Sequence, residues 1–421
     1  MYLIYSFFLL IALCIYFPLY LVRLRISKNE SLHISERLGA RIPLGKKDGK
    51  SLWIHAVSVG EVMSLQNLIK EIKQNHPDWN VYFSTLTNSG FEVAKKKLKN
   101  IDELFYLPFD FKFIVRRFFK NIRPSLFILN ESEFWPHLIR EARRFTDGVI
   151  LVNGRISSSS YKRYRFLRVF TKRILDNIDL FLVQTEQDQK RLEKMGASPA
   201  RIKVAGNLKA EINLKEISEK DLSNMKKELN LSDRYKTVVA GSTRKGEDKI
   251  LLKAFSKALS ERKDIRFIIA PRHMNRVSEI MNCCETLRLK AVKKTSLYKE
   301  KEWEVLILDT IGELARIYAV ADCAFIGGSL IPWGGQNLLE PAFYQKPIFF
   351  GPHMDNFAYF AHVFVESGGA KTVKSEKELI NIFIFKDENR LYDMGKKAKQ
   401  TLNSLQGATR ETLQAVESRM P

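Results

Sequence analysis

Cysteine is scarce in this chain: four residues in 421, Cys14, Cys283, Cys284 and Cys323, with no C-x-x-C pair and no spaced quartet. That pattern excludes a disulfide-stapled secreted scaffold and a cysteine-ligated zinc centre, and fits thiols kept in a reducing compartment such as the cytoplasm. Glycine and proline are also sparse, at 21 and 13 residues, while 45% of the chain is apolar and 28% charged. Collagen, low-complexity repeats and disorder are thereby excluded. The order G-x-x-x-x-G-K-[ST] is missing, so the small-residue loop Gly241-Ser242-Thr243-Arg244-Lys245-Gly246-Glu247 is not a nucleoside-triphosphatase loop. Acid is in deficit, with 47 Asp and Glu against 69 Lys and Arg, leaving +22. Such a surplus implies an anionic partner: a phospholipid surface, a nucleic acid or a phosphorylated substrate.

One long apolar run is present. No charge occurs from Tyr2 to Val22, and that length crosses a hydrocarbon core of about 30 Å as a helix. The run lacks the basic start of a cleaved signal peptide, and Leu13 before Cys14 does not suit a lipoprotein signal. Arg23, Arg25 and Lys28 follow at once, which by the positive-inside rule places the rest of the chain in the cytoplasm. Residues 2–22 are therefore expected to form a single transmembrane anchor.

Beyond it, the length suggests two to three domains. Short β-branched or aromatic runs alternate with amphipathic stretches: 51–56, 81–85, 126–129, 149–152, 180–183 and 202–204, then, after a polar stretch at 213–231, 237–240, 265–269, 305–308, 324–326 and 347–350. The alternation predicts an α/β chain of two doubly wound Rossmann-like domains, 23–212 and 232–421, joined by a linker at 213–231. Ligands of such sheets lie beyond the carboxyl ends of the strands, so the residues after each run carry the functional signal.

The first run ends in His55-Ala56-Val57-Ser58-Val59-Gly60-Glu61. Glu61 suits a general base that takes the proton of a hydroxyl nucleophile, although its position alone favours the plainer reading of a first-turn glutamate stabilised by the helix dipole. His55 reads as a hydrogen-bonding structural residue. Glu131 and Glu133 follow the third run as paired carboxylates, Asn153-Gly154-Arg155 follows the fourth, and Lys209 follows the sixth as a cation able to face an anion. The second half repeats glycine turns at strand ends, at Gly327-Gly328-Ser329 and Gly334-Gly335, whose backbone N–H groups would suit a phosphate. The carboxylate at Glu340 is placed to accept from ribose hydroxyls. Their recurrence predicts a nucleotide site.

In this order, HAVSVGE, NESEFWP, NGRIS, GNLK, APRH, IGEL and GGS with GGQNLLEP resemble the 3-deoxy-D-manno-octulosonic acid (Kdo) transferases over nearly the whole chain. The resemblance implies a GT-B glycosyltransferase, two Rossmann-like domains facing across a cleft, moving Kdo from CMP-Kdo to a lipid A precursor (lipid IVA) at the inner membrane without a metal or other cofactor. It also implies that Glu61 is the base, that Glu131 and Lys209 assist the transition state, and that Pro271, Arg272, Ile311, Gly312, Glu313, Asn337, Leu338, Leu339 and Glu340 hold CMP. The family usually carries a His where Arg244 or Lys245 stands here. Partners implied are CMP-Kdo, lipid A precursor and an anionic membrane surface, with no nucleic acid. Two other readings use the same residues: a GT-B enzyme taking a UDP-sugar, and a membrane-tethered nucleic-acid-binding protein whose basic-aromatic stretches 112–120 and 162–165 track a phosphate backbone.

Overall fold

Burial on both faces explains the strand pattern. In the computed structural model, which describes residues 2–26, 33–46, 49–298 and 302–420, with side chains of the first helix described for residues 2–15, the chain divides into two units. Unit 1 is Met1–Glu211 with Leu405–Pro421, and unit 2 is Ile212–Ser404.

Unit 1 holds a seven-stranded sheet in the order β3-β2-β1-β4-β5-β6-β7. Its strands are β1 (Ser51–Ala56), β2 (Asn80–Thr85), β3 (Glu103–Tyr106), β4 (Leu126–Asn130), β5 (Gly148–Gly154), β6 (Leu180–Val183) and β7 (Ile202–Val204). All pair in parallel. Helices cover both faces, so every residue of β1, β2, β4 and β5 is buried, and the strands read as continuous apolar runs. The two-residue period sorts neighbours into opposite cores: Trp53, Phe127 and Leu129 in one, Leu52, Ile54 and Ile128 in the other.

Unit 2 repeats the architecture in the order β10-β11-β9-β8-β12-β13-β14. Its strands are β8 (Lys236–Thr243), β9 (Ile265–Pro271), β10 (Ala291–Lys293), β11 (Val305–Ile307), β12 (Cys323–Ile326), β13 (Ile348–Phe350) and β14 (Ala370–Thr372). In each sheet the chain leaves the first strand to one side and returns on the other. The carboxyl ends of β1 and β4, and of β8 and β12, are therefore the switch points where ligands bind in this architecture.

Three expectations need correction. The segment 213–231 is no linker: it contains the helix Glu219–Glu228, and Met225, Leu229 and Leu231 lie in a unit 2 core. The second domain does not run to the C-terminus, because the helix Ala408–Glu417 places Ala408, Leu413 and Val416 in the core of unit 1. Gly407 N–H also donates to Glu211 Oε1 at 2.7 Å. The sheets gain β3, β10 and β14, which the apolar pattern did not show. All three are edge strands of three or four residues carrying charged side chains, and an edge strand needs no continuous apolar run.

Over the expected anchor stands a helix, Tyr2–Ile26. Residues 16–22 of that anchor, and Arg23, Arg25 and Lys28, fall outside the described side chains. Among the described residues no helix is long and apolar enough to cross a membrane. The first turns of this helix pack on the helix Pro136–Phe145. Ser6 Oγ lies 2.7 Å from His137 Nε2, and the Arg140 guanidinium sits 4.3 Å over the Tyr2 ring. Leu3, Ile4, Phe7 and Phe8 point outward.

Candidate active site

The chain leaves β1 through Val57 and enters the helix Val59–Ser64 at Ser58, whose extended backbone makes it the N-cap. Ser58 Oγ donates to Glu61 Oε1 at 3.0 Å, and Val57 N–H donates to Oε2 at 3.0 Å. The spacing S-x-x-E is that of a capping box, so the helix-end function left open by the sequence is filled. The same bonds aim the carboxylate, and each oxygen keeps a further lone pair to accept with. Burial, and after it the charge of Glu131, push the Glu61 carboxyl up to about 7 against the opposing pull of Val57 N–H.

Glu131 follows the adjacent strand β4 in the left-handed region, with φ 58°. A non-glycine residue holds that conformation only where its surroundings enforce it. Here its N–H donates to Val152 O at 3.0 Å, and Lys209 Nζ donates to its Oε1 at 3.1 Å. Lys209 is positioned by a chain of contacts between loops. Asn207 Oδ1 accepts from Lys209 N–H at 2.9 Å, and Asn153 Oδ1 accepts from Leu208 N–H at 3.1 Å. A Cβ on Gly60 would stand 3.9 Å from Lys209 Nζ, which sets the ammonium beside the start of the Glu61 helix. Glu61, Glu131 and Lys209 thus meet at the switch point of unit 1. Glu133 joins them, its carboxyl raised by burial and held by Trp135 Nε1 at 3.0 Å. His55 is fully buried, bonds Ser84 through Nδ1 at 3.0 Å, and is pushed down to about 4 by burial, so its ring is neutral and structural.

Unit 2 holds a cavity of about 610 Å³ at the carboxyl ends of β8, β9 and β11. Pro271, Arg272, Ile311, Gly312, Asn337 and Glu340 line it. Glu313 does not; it pairs with Lys294 and accepts from Thr310. The side chains of Leu338 and Leu339 are buried in the protein, although Leu339 N–H donates to Asn337 Oδ1 at 3.0 Å. Asn337 Nδ2 donates to Glu340 Oε1 at 3.1 Å, and burial raises the Glu340 carboxyl. His273, Tyr318 and Gln336 also line the cavity. His273 is marked in the sequence by the APRH motif, whereas Tyr318 sits in an ordinary apolar stretch.

The Gly327-Gly328-Ser329 turn does not offer a free phosphate cradle. Glu247, fully buried, accepts from Gly328 N–H at 2.6 Å, from Ser329 N–H at 3.0 Å and from Leu330 N–H at 2.9 Å. The turn is occupied by a carboxylate of the protein. On the neighbouring loop, Arg244 Nη1 lies 2.9 Å from His273 Nε2 and the guanidinium stands 5.2 Å over the Trp333 ring. A larger groove of about 950 Å³ lies at the β14 edge, lined by Lys371, Lys374 and Arg390 among others, and by none of the candidate residues.

The chain has recognisable relatives. Residues 32–212 match the family described as 3-deoxy-D-manno-octulosonic-acid transferase. The chain is 33% identical over 343 residues to the 3-deoxy-D-manno-octulosonic acid transferase of Rickettsia felis, covering 81% of this chain and 72% of that one. It is 36% identical over 382 residues to a bifunctional glycosyltransferase/methyltransferase of Fusobacterium nucleatum, covering 85% of this chain but only 58% of that longer protein. A glycosyltransferase structure from Rickettsia africae superposes with a TM-score of 0.56 at 11% identity over 88% of this chain and 98% of that one, a likeness of fold alone. With a third of its residues identical across most of a Rickettsia transferase, the chain belongs to the 3-deoxy-D-manno-octulosonic acid transferases, a family of glycosyltransferase enzymes.

Proposed function

We propose that this protein is an inverting GT-B transferase that moves Kdo from CMP-Kdo to a lipid A precursor, with Glu61 as general base. The observation that carries the reading is the Glu61 carboxyl: buried, aimed by Ser58 and Val57, raised to about 7 and set beside the Glu131–Lys209 pair. A base with that pKa is ionised in about half of the molecules at neutral pH and strong enough to take a hydroxyl proton. In the proposed step the acceptor hydroxyl oxygen bonds to the anomeric carbon of Kdo while the bond from that carbon to the CMP phosphate oxygen breaks. The proton passes to Glu61, CMP leaves with the electron pair, and a single displacement inverts the anomeric centre. The leaving phosphate needs no acid, because cations at the donor cavity such as Arg272 stabilise its charge. No metal enters the step. Asn337 and Glu340, already bonded to each other, suit the nucleoside hydroxyls.

The N-terminal helix is proposed as the attachment to the inner membrane, with both units on the cytoplasmic side. The anionic acceptor and anionic lipid together account for the +22 balance. The test is incubation of the full chain with CMP-Kdo and lipid A precursor, followed by mass spectrometry of the lipid. A mass gain of one or more Kdo units is expected. No gain with CMP-Kdo but a gain with a UDP-sugar in a parallel donor panel would replace the donor assignment.

A further inference from the structure

The helix Ser158–Phe166 buries none of its residues. Isolated helices of nine residues are marginal in water, and this one keeps only the half-buried Tyr161 and Tyr164 against the core of unit 1. Ser158, Tyr161, Lys162, Arg165 and Phe166 of this helix line a groove of about 720 Å³ shared with the helix Glu186–Met195. Lys162, Arg165, Lys190, Arg191 and Lys194 line that groove, and no carboxylate does. Among the described residues none of these five forms an ion pair. Elsewhere on the same unit surface cations do find acids, as in Lys46–Asp102, Lys172–Asp176 and Lys203–Glu411. Arg191 is anchored, donating to Ile156 O and to Ser158 Oγ, and Arg165 leans on Tyr161. Five like charges left together repel one another, and a bound anion relieves the repulsion.

The lip of the groove is apolar. Phe166, Leu167 and Val169 are exposed at 87%, 53% and 76%, and the next residue inward, Phe170, packs against Tyr5 of the N-terminal helix with ring centroids 6.3 Å apart. Both groove helices begin at carboxyl ends of strands, β5 and β6, on the rim that also carries Glu131 and Lys209. Asn153 of that β5 end holds the Leu208 turn.

We infer that this groove binds the phosphorylated headgroup of the acceptor lipid, with the acyl chains laid over Phe166, Leu167 and Val169. The inference rests on the acceptor class proposed above. Its ligand chemistry is a phosphate monoester carried on an amphiphile, and the apolar lip selects the amphiphile over free phosphate.

The test uses the full chain in neutral-detergent micelles and two double variants at exposed positions, Lys190→Ser with Lys194→Ser, and Lys162→Ser with Arg165→Ser. Calorimetry with dihexanoyl phosphatidic acid is expected to show a loss of about tenfold or more in each variant, since each basic residue near an anionic headgroup contributes about 1 kcal/mol. Dihexanoyl phosphatidylcholine should bind far more weakly to all forms, and CMP affinity should not change. Phe166→Ser should weaken phosphatidic acid binding and leave inorganic phosphate binding as it was. In transfer assays the variants should raise the KM for the phosphorylated acceptor, with kcat and the KM for CMP-Kdo retained. Equal phosphatidic acid binding by parent and variants overturns the inference. So does equal affinity for phosphatidic acid and inorganic phosphate. If the parent transfers no Kdo, the function proposed above fails, while the lipid titrations still decide the groove.

Discussion

Glu61 meets two demands with one side chain. As the fourth residue of a capping box it must accept hydrogen bonds, and as a base it must be free to take a proton; fixed orientation with spare lone pairs satisfies both. Glu61→Gln keeps an acceptor for Val57 N–H and removes the base. It should lower turnover on the order of 10²- to 10⁴-fold with CMP affinity unchanged, as read by kinetics and calorimetry; parental turnover would move the base elsewhere. Because only the ionised carboxylate accepts the proton, kcat/KM should fall as pH drops through about 7, the value to which burial and Glu131 raise this carboxyl. Glu131→Gln deletes the like charge and leaves the Lys209 ammonium unpaired nearby. Both changes favour the ionised Glu61, so the acidic limb of the pH profile should move to lower pH. A shift to higher pH would contradict a like-charge effect of Glu131 on Glu61.

Elements are tied together by acids distant in sequence. The helix Pro136–Phe145 receives no cap from Trp135; Asp110 instead accepts from His137 N–H at 3.0 Å and Leu138 N–H at 2.7 Å. Glu247 does the same for the turn after β12, bridging it to the loop after β8 that carries Arg244. Glu247→Gln has nearly the same shape but replaces one acceptor oxygen by a donor, which then faces a backbone N–H. Each buried group left unsatisfied costs about 1 to 3 kcal/mol. Unfolding of unit 2 in urea should shift to lower denaturant, and CMP binding should weaken because Arg244 and its neighbour His273 lose their fixed frame. An unchanged midpoint would mean that water replaces the lost acceptor. Neither acid announces itself in the sequence, since both bond backbone groups that no side-chain pattern marks.

For the whole molecule, the return of the last segment to unit 1 has a measurable consequence. Leu413, Val416 and Met420 are buried against the same core as Leu52 and Ile54. Full burial of such side chains contributes about 1.5 to 3 kcal/mol each, a large share of the roughly 5 to 15 kcal/mol of a typical domain. A chain truncated after Leu405 should therefore unfold at markedly lower urea or be recovered insoluble, even though the cavity of about 610 Å³ in unit 2 is untouched. Soluble truncated protein with the parental midpoint would show that the segment contributes nothing to unit 1.

Eleven of the fourteen strands among the described residues and the two-unit α/β architecture were legible in the sequence alone, and so was the place of Glu61, Glu131 and Lys209 after strand ends, while their shared role came only from the family resemblance. Parallel strands covered on both faces must be continuously apolar, and ligands gather after their carboxyl ends. The edge strands β3, β10 and β14 escaped because half-exposed strands of three or four residues carry no such run. Tertiary structure alone decided that residues 213–231 pack into unit 2 and that residues 405–420 pack into unit 1, since amphipathic helices state that a face is buried but not against which core. It also decided that the Gly327–Ser329 turn holds Glu247 and not a free site. A glycine turn presents N–H groups to whatever acceptor lies nearest, and that acceptor is 81 residues away from Gly328 along the chain.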